Sequence, residues 1–279
     1  MRVETNRKLV RRNRRIAQYL FFFSLAVLIG GFIVANQPVV NREDPNFTLA
    51  LLLPSLVLPV GFISTLVSVR MTNLWVRQPR PEQAIQEALK GINKKSVLYN
   101  YYHFPARHVL IAPQGVFAMI TRFQDGRYQV KGDKWQTYGG LFSAFGRFFR
   151  RDDIGNPTEE AMRAADHVKR FFEPFAPDIE VQPLILFVDP RARLEINDPV
   201  LPVLYTDDKQ KPNLKDYMRD LAQQQKQKSS NDQSRKKGKA RSSDSGYAIS
   251  PEEIEGLAEA FEQATLPGKR KKAPEPAQA

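Results

Sequence analysis

Two uncharged apolar runs constrain this chain more than any other feature. Residues 16–35 read IAQYLFFFSLAVLIGGFIVA and residues 48–69 read TLALLLPSLVLPVGFISTLVSV. Each is close to the roughly 20 apolar residues that cross a hydrocarbon core. A lone N-terminal run would fit a cleavable leader, but a second follows with no small-residue cleavage site between them. The reading is a hairpin of two transmembrane helices. Pro54 and Pro59 interrupt the second run, which membrane helices tolerate as a kink. No acidic or basic residue lies inside either run, which argues against an ion path or proton relay.

Basic residues set the expected orientation. Arg2, Arg7, Lys8, Arg11, Arg12, Arg14 and Arg15 precede the first run, and Arg70, Arg77 and Arg80 follow the second. The connection, residues 36–47, holds only Arg42 against Glu43 and Asp44. The positive-inside bias then predicts a two-pass inner (plasma) membrane protein with both termini in the cytoplasm. Residues 1–15 form a basic cytoplasmic N-terminus that also suits anionic headgroups of the bilayer.

The formal charge of +12 is therefore a poor sign of nucleic-acid binding by itself. Between Thr72 and Asp220 there are 22 Lys/Arg and 19 Asp/Glu, a net of only +3. There is no cysteine, so disulfides, thiolate metal sites and cysteine nucleophiles are excluded. Three histidines, His103, His108 and His167, are too few for a histidine-rich zinc site.

Residues 81–221 have the pattern of an α/β domain with a mixed sheet. Residues 81–91 predict a short helix, 96–102 a strand, and 108–112 and 116–122 a hairpin turning at Pro113-Gln114-Gly115. Residues 127–131 predict a third strand after an Asp125-Gly126 turn. Asn156-Pro157 opens a helix to about Phe172 whose apolar face is Ala161, Ala164, Ala165, Val168 and Phe172. Residues 181–188 predict a buried strand, 200–205 a shorter one, and 214–221 the start of a last helix. The Gly, Phe and Arg-rich stretch 136–154 contains LFSAFGRFFRR, which fits either an insertion packed on the core or a segment lying on the bilayer surface.

Several of these positions, taken in order, resemble the nuclease-related (NERD) domain of the PD-(D/E)XK nuclease superfamily. Glu82 stands where family members have a Gly-Glu pair, with Pro81 in the glycine's place. His108, then Pro113-x-Gly115-Val116-Phe117, resembles the family's D-H…G-[VI]-F segment. Gly126, Gly132 and Trp135 fit the following hairpin, and Asn156-Pro157 fits an N-P-x-x-Q segment. The resemblance implies a restriction-endonuclease-like mixed-sheet domain after the transmembrane hairpin.

It also implies a catalytic set that this sequence lacks. The superfamily holds a divalent cation with an acid on one strand and an E-x-K or D-x-K triplet on the next. Here the first acid's position is Arg107, the triplet is Ile120-Thr121-Arg122, and the glutamine position is Glu160. An arginine and an isoleucine cannot ligate a cation. The site reads as degenerate, with no catalytic or metal-binding residues and no cofactor. Two arginines instead suggest a positive cleft, with Lys131 and Lys134 added, for DNA, RNA or another phosphate-bearing ligand. One alternative is an active nuclease whose acids have moved to Glu82, Asp125 and Asp133, holding Mg²⁺. The plain roles of these residues are a first helical turn for Glu82 and a hairpin turn for Asp125-Gly126.

Residues 223–246 have almost no apolar side chain, and 222–249 is expected to be a disordered basic linker. Ser250-Pro251-Glu252-Glu253 is a helix start with a capping box. Residues 250–265 then predict an acidic amphipathic helix with Ile254, Leu257 and Phe261 on one face. That face suits either a protein partner's groove or the chain's own domain. A basic Pro/Ala tail, 266–279, ends the chain. The expected function is a membrane-anchored, non-catalytic NERD-like module that binds a phosphate-bearing ligand or acts as a scaffold; a further alternative is an assembly protein that recruits a partner through its last helix.

Overall fold

A computed structural model describes residues 1–36, 47–92, 95–138, 154–235 and 249–265 of the 279-residue chain. The LFSAFGRFFRR stretch, much of the expected linker and the basic tail fall outside these residues. The chain divides into two compact units. One holds the helical pair within residues 7–80; the other holds Met1–Asn6 with the described residues from Pro81 onward, apart from those near 139–153.

In the first unit, helices α1 (Arg7–Ala35) and α2 (Phe47–Trp75) pack side by side. Both are long and apolar enough to cross a membrane. Their burial is inverted relative to a water-soluble bundle. Ala17, Ser24 and Gly31 on α1, and Gly61 and Ser68 on α2, face inward at helical spacing. Phe21, Phe22, Phe32, Leu56, Leu58 and Ile63 point out. Small residues let helix backbones approach where lipid offers no hydrophobic drive for association. The polar hydroxyls are satisfied locally: Ser24 donates to Leu20 O at 2.7 Å and Thr65 to Gly61 O at 2.7 Å. α2 runs helically through both Pro54 and Pro59.

The tightest approach is at Gly31. A Cβ there would lie 2.7 Å from Val57 Cγ1, on a stiff β-branched side chain. Gly31→Ala is expected to destabilise the helical pair by about 1–3 kcal/mol. A companion Val57→Ala should restore most of the loss. Unfolding in micelles checks this, and an additive double mutant would contradict the close contact.

The second unit is an α/β fold with two sheets. The larger sheet has the order β1-β2-β3-β4-β7-β9 and the smaller has β6-β5-β8. The strands are β1 (Arg2–Thr5), β2 (Val97–Asn100), β3 (His108–Ala112), β4 (Gly115–Arg122), β5 (Arg127–Gly132), β6 (Lys134–Tyr138), β7 (Val181–Phe187), β8 (Arg193–Pro199) and β9 (Val203–Tyr205). Among the described residues, four helices cover the larger sheet: α3 (Pro81–Ala88), α4 (Pro157–Phe172), α5 (Leu214–Arg235) and α6 (Pro251–Thr265). Strand alternation sends Leu110, Phe117, Met119, Leu184 and Leu186 to one face, under α3 and α5. Val109, Ile111, Val116, Ala118, Ile120 and Ile185 go to the other, under α4, α6 and the inner face of the small sheet. β4 is buried on both faces, which explains its continuous apolar run.

The helix starts form as their residues dictate. Asn156 Oδ1 accepts from Glu159 N at 3.2 Å, ahead of Pro157. Ser250 Oγ accepts from Glu253 N at 3.2 Å, and Ser250 N donates to Glu253 Oε2 at 2.7 Å, completing the capping box.

Four features differ from the expectations. The N-terminal segment does not begin as a simple basic extension: residues 2–5 form an edge strand parallel to β2, with Arg2 opposite Val97 and Thr5 opposite Asn100. Residues 127–132 do not join the main sheet; they pair with β6 and with β8. α5 continues to Arg235, past Leu221 where the linker was expected to begin. Finally, Ile254, Leu257 and Phe261 are not offered to a partner. They are buried in this chain's own core, Phe261 at 1% exposure. Its ring lies 4.4 Å from Tyr99 and 5.3 Å from Phe171. Glu262 anchors the same helix, with Arg2 Nη2 at 2.9 Å and Tyr99 Oη donating at 3.1 Å. The physical reason is plain: the sheet face over β2 and β3 needs an apolar cover, and α6 is the amphipathic helix that supplies it.

Candidate functional site

The positions singled out in the sequence separate in space. Ile120 sits on β4 at 6% exposure, packed in the core that α4 covers. Two residues on, and so on the same face, Arg122 reaches the first turn of α4. Its Nη2 lies 2.9 Å from Glu160 Oε1, with the two side chains 12% and 47% exposed. The pair is held by charge rather than by aligned hydrogen bonding, since Arg122 Nε and Nη2 are buried without an acceptor in line. Arg122 O also accepts from Val188 N at 2.9 Å, locking the end of β4 to β7. Arg107 is half-buried just before β3, and its carbonyl accepts from Tyr101 N at 2.6 Å.

Glu82 belongs to a different place. The helix that carries it, α3, covers the opposite face of the sheet. There Tyr101 Oη donates to Glu82 Oε2 at 2.9 Å. The Tyr101 ring meets His108 edge-on at 5.0 Å. His108 is fully buried, and its Nδ1 lies 2.7 Å from Asn100 Oδ1. Asn100 Nδ2 donates in turn to Thr5 Oγ1 of the N-terminal strand at 3.1 Å. Burial first, and the Arg107 charge second, push the His108 pKa down to about 3. His108 is therefore neutral at physiological pH. Sequence reading missed this chain of contacts because Thr5 is separated from Asn100 by the whole hairpin.

Asp125 is committed elsewhere again. Arg191 Nη2 lies 3.1 Å from Asp125 Oδ2 and 2.9 Å from Asp189 Oδ2. Asp189 is buried at the end of β7, and its Oδ1 also accepts from Arg191 N at 2.9 Å. The local signal for this turn was legible as Asp189-Pro190-Arg191, an aspartate that bonds the backbone two residues on. Asp133 occupies the β5–β6 hairpin turn, between Lys131 and Lys134 in the small sheet.

The structure thus brings Arg122 and Glu160 together, and does not bring together Glu82, Asp125 and Asp133. Among the described residues, no group of three or more His, Cys, Asp or Glu could hold a metal ion. Arg107, Ile120 and Arg122 do not fit a divalent cation, which needs oxygen ligands. The expected cation cluster also splits, since Lys131 and Lys134 lie on a different sheet from Arg122. Compared with known proteins, the chain matches no family model, no curated protein and no solved structure.

Proposed function

We propose that this chain is a membrane-anchored, non-catalytic module on a NERD-like frame that binds a phosphate-bearing ligand. One observation carries the non-catalytic half. Where a nuclease of this type would present acids and a lysine to a cation, this chain has an Arg122–Glu160 ion pair over a buried Ile120. A bound guanidinium already supplies the positive charge that a metal would bring, and the paired carboxylate is spent on it.

The membrane half has its own support. Met1–Asn6 and the residues from Pro81 onward belong to one compact unit, and two apolar helices lie between them in the chain. A pair of crossings returns the chain to the side it left. The basic flanks then favour the cytoplasmic side.

The test is a cleavage assay on the full chain in zwitterionic nanodiscs, with labelled single-stranded DNA, duplex DNA and RNA. The fragment from Thr72 to Leu221 is unsuitable, because it lacks both β1 and α6. No cleavage is expected with Mg²⁺, Mn²⁺ or chelator. Cleavage that needs the metal and vanishes in Glu82→Ala or Asp125→Ala would overturn the non-catalytic reading.

A further inference from the structure

We infer that the outward face of the small sheet is a binding surface for single-stranded nucleic acid. This rests on the phosphate-binding reading above and names its ligand and its surface. The inner face of β5, β6 and β8 packs Tyr128, Val130 and Trp135 against the core. By alternation the outer face carries no aliphatic side chain.

Its cations are arranged in a way that costs stability. Arg127 on β5 is directly opposite Arg193 on β8, and Lys131 on β5 is directly opposite Lys134 on β6. Like charges opposite one another across strands repel. Among the described residues, none of the four makes an ion pair with an acid. The face has one acid, Glu195, and it accepts instead from Gln129 Nε2 at 3.0 Å. Gln129 Oε1 in turn accepts from Tyr138 Oη at 2.8 Å. The turn acids Asp133 and Asp198 flank the lysine pair and moderate it, while leaving the arginine pair at the other end. Arg193 Nη1 reaches only the Pro190 and Ala192 carbonyls.

Two repelling cation pairs call for an anion between or above them. They are four residues apart on β5, a separation of about 13 Å. That suits phosphates of alternate nucleotides on an extended strand better than one small anion. Between the pairs lie Gln129, Gln136 and Glu195, while Tyr138, 49% exposed, stands opposite Arg127 on β6. Gln129 is engaged with Glu195 and Tyr138, so the exposed Gln136 offers the amide for base edges, and the exposed Tyr138 ring offers a stacking surface. A duplex would bring its phosphates on a rigid cylinder and use neither. The same residues make the surface independent of the Arg122–Glu160 pair.

The experiment is fluorescence anisotropy of a labelled 20-nucleotide single-stranded RNA or DNA with the full chain in zwitterionic nanodiscs. The variant is Arg127→Gln/Lys131→Gln/Lys134→Gln/Arg193→Gln. A control, Lys169→Gln/Arg170→Gln, removes two exposed cations from the last turn of α4. The expected result is wild-type binding that the four-site variant loses on the order of tenfold or more. The slope of log K against log salt should also flatten by about 0.7 for each phosphate-contacting cation removed. The control should change little. Wild-type binding that the four-site variant retains would overturn the surface while leaving the phosphate-binding reading standing. No binding by the wild type would overturn both, and the cleavage assay would still decide the non-catalytic reading separately. Co-flotation with phosphatidylserine vesicles that the variant loses, with oligonucleotide binding unaffected, would overturn the nucleic-acid assignment in favour of a lipid surface.

Discussion

Replacing Phe261 by alanine is expected to cost about 3–5 kcal/mol, a large part of the stability of an ordinary domain. The ring is fully enclosed, with Tyr99, His103, Phe171 and Phe172 within ring-contact distance. Removing it opens a cavity between α6 and α4 that neither rigid neighbour can fill. The effect should spread, because α6 also carries Glu262, whose carboxylate holds Arg2 of the edge strand. Amide exchange should therefore rise in both α6 and β1. Glu255→Ala, on the exposed side of α6, should stay within about 0.5 kcal/mol. Chemical denaturation of the full chain in micelles measures all of this. A loss under 1 kcal/mol for Phe261→Ala would mean that α6 is not seated as described, and would return it to the role of a helix awaiting a partner.

Mild acid is expected to destabilise the α/β unit, starting above the range where carboxylates titrate. His108 has its pKa depressed from the usual 6.5 to about 3, chiefly by burial. The His103 pKa is lowered to about 4, by burial and then by His167, whose Nε2 lies 3.4 Å from His103 Nδ1. A depressed histidine pKa means that the unfolded chain takes up the proton first. Stability is then complete above pH 6.5 and drains as the pH falls toward the folded values. His108 alone should remove about 2 kcal/mol by pH 5 and roughly 4 kcal/mol near pH 3. His103 acts in the same direction, reduced by its partial contact with water. Denaturant midpoints measured between pH 7.5 and 5 decide the matter. A flat profile over that window would show that His108 is not buried and neutral as described.

Much of this molecule was legible in the chain itself. The two apolar runs set the helical pair, each an uncharged stretch long enough for a membrane-spanning helix. Asn156-Pro157 and Ser250-Pro251 marked helix starts because caps act through bonds three residues away. A continuous apolar run marked β7, and the turn at Gly115 marked β4. β8 also carries a readable signal: Leu194 and Ile196 alternate with Arg193, Glu195 and Asn197, the period of a strand with one wet face. That Ile120 and Arg122 cannot ligate a hard cation was visible from residue type alone.

Tertiary structure decided what local pattern cannot carry. Four N-terminal residues, Arg2 to Thr5, become a strand only because β2 offers an open edge about a hundred positions away. The amphipathic face of α6 was evident, but its destination depended on an apolar gap over β2 and β3 that no spacing in the sequence reveals. Glu160 became the partner of Arg122 because α4 starts beside the end of β4, and Glu82 was carried to the other face of the same sheet. The opposed cation pairs of the small sheet exist only through strand register, a long-range property fixed by which side chains must turn inward.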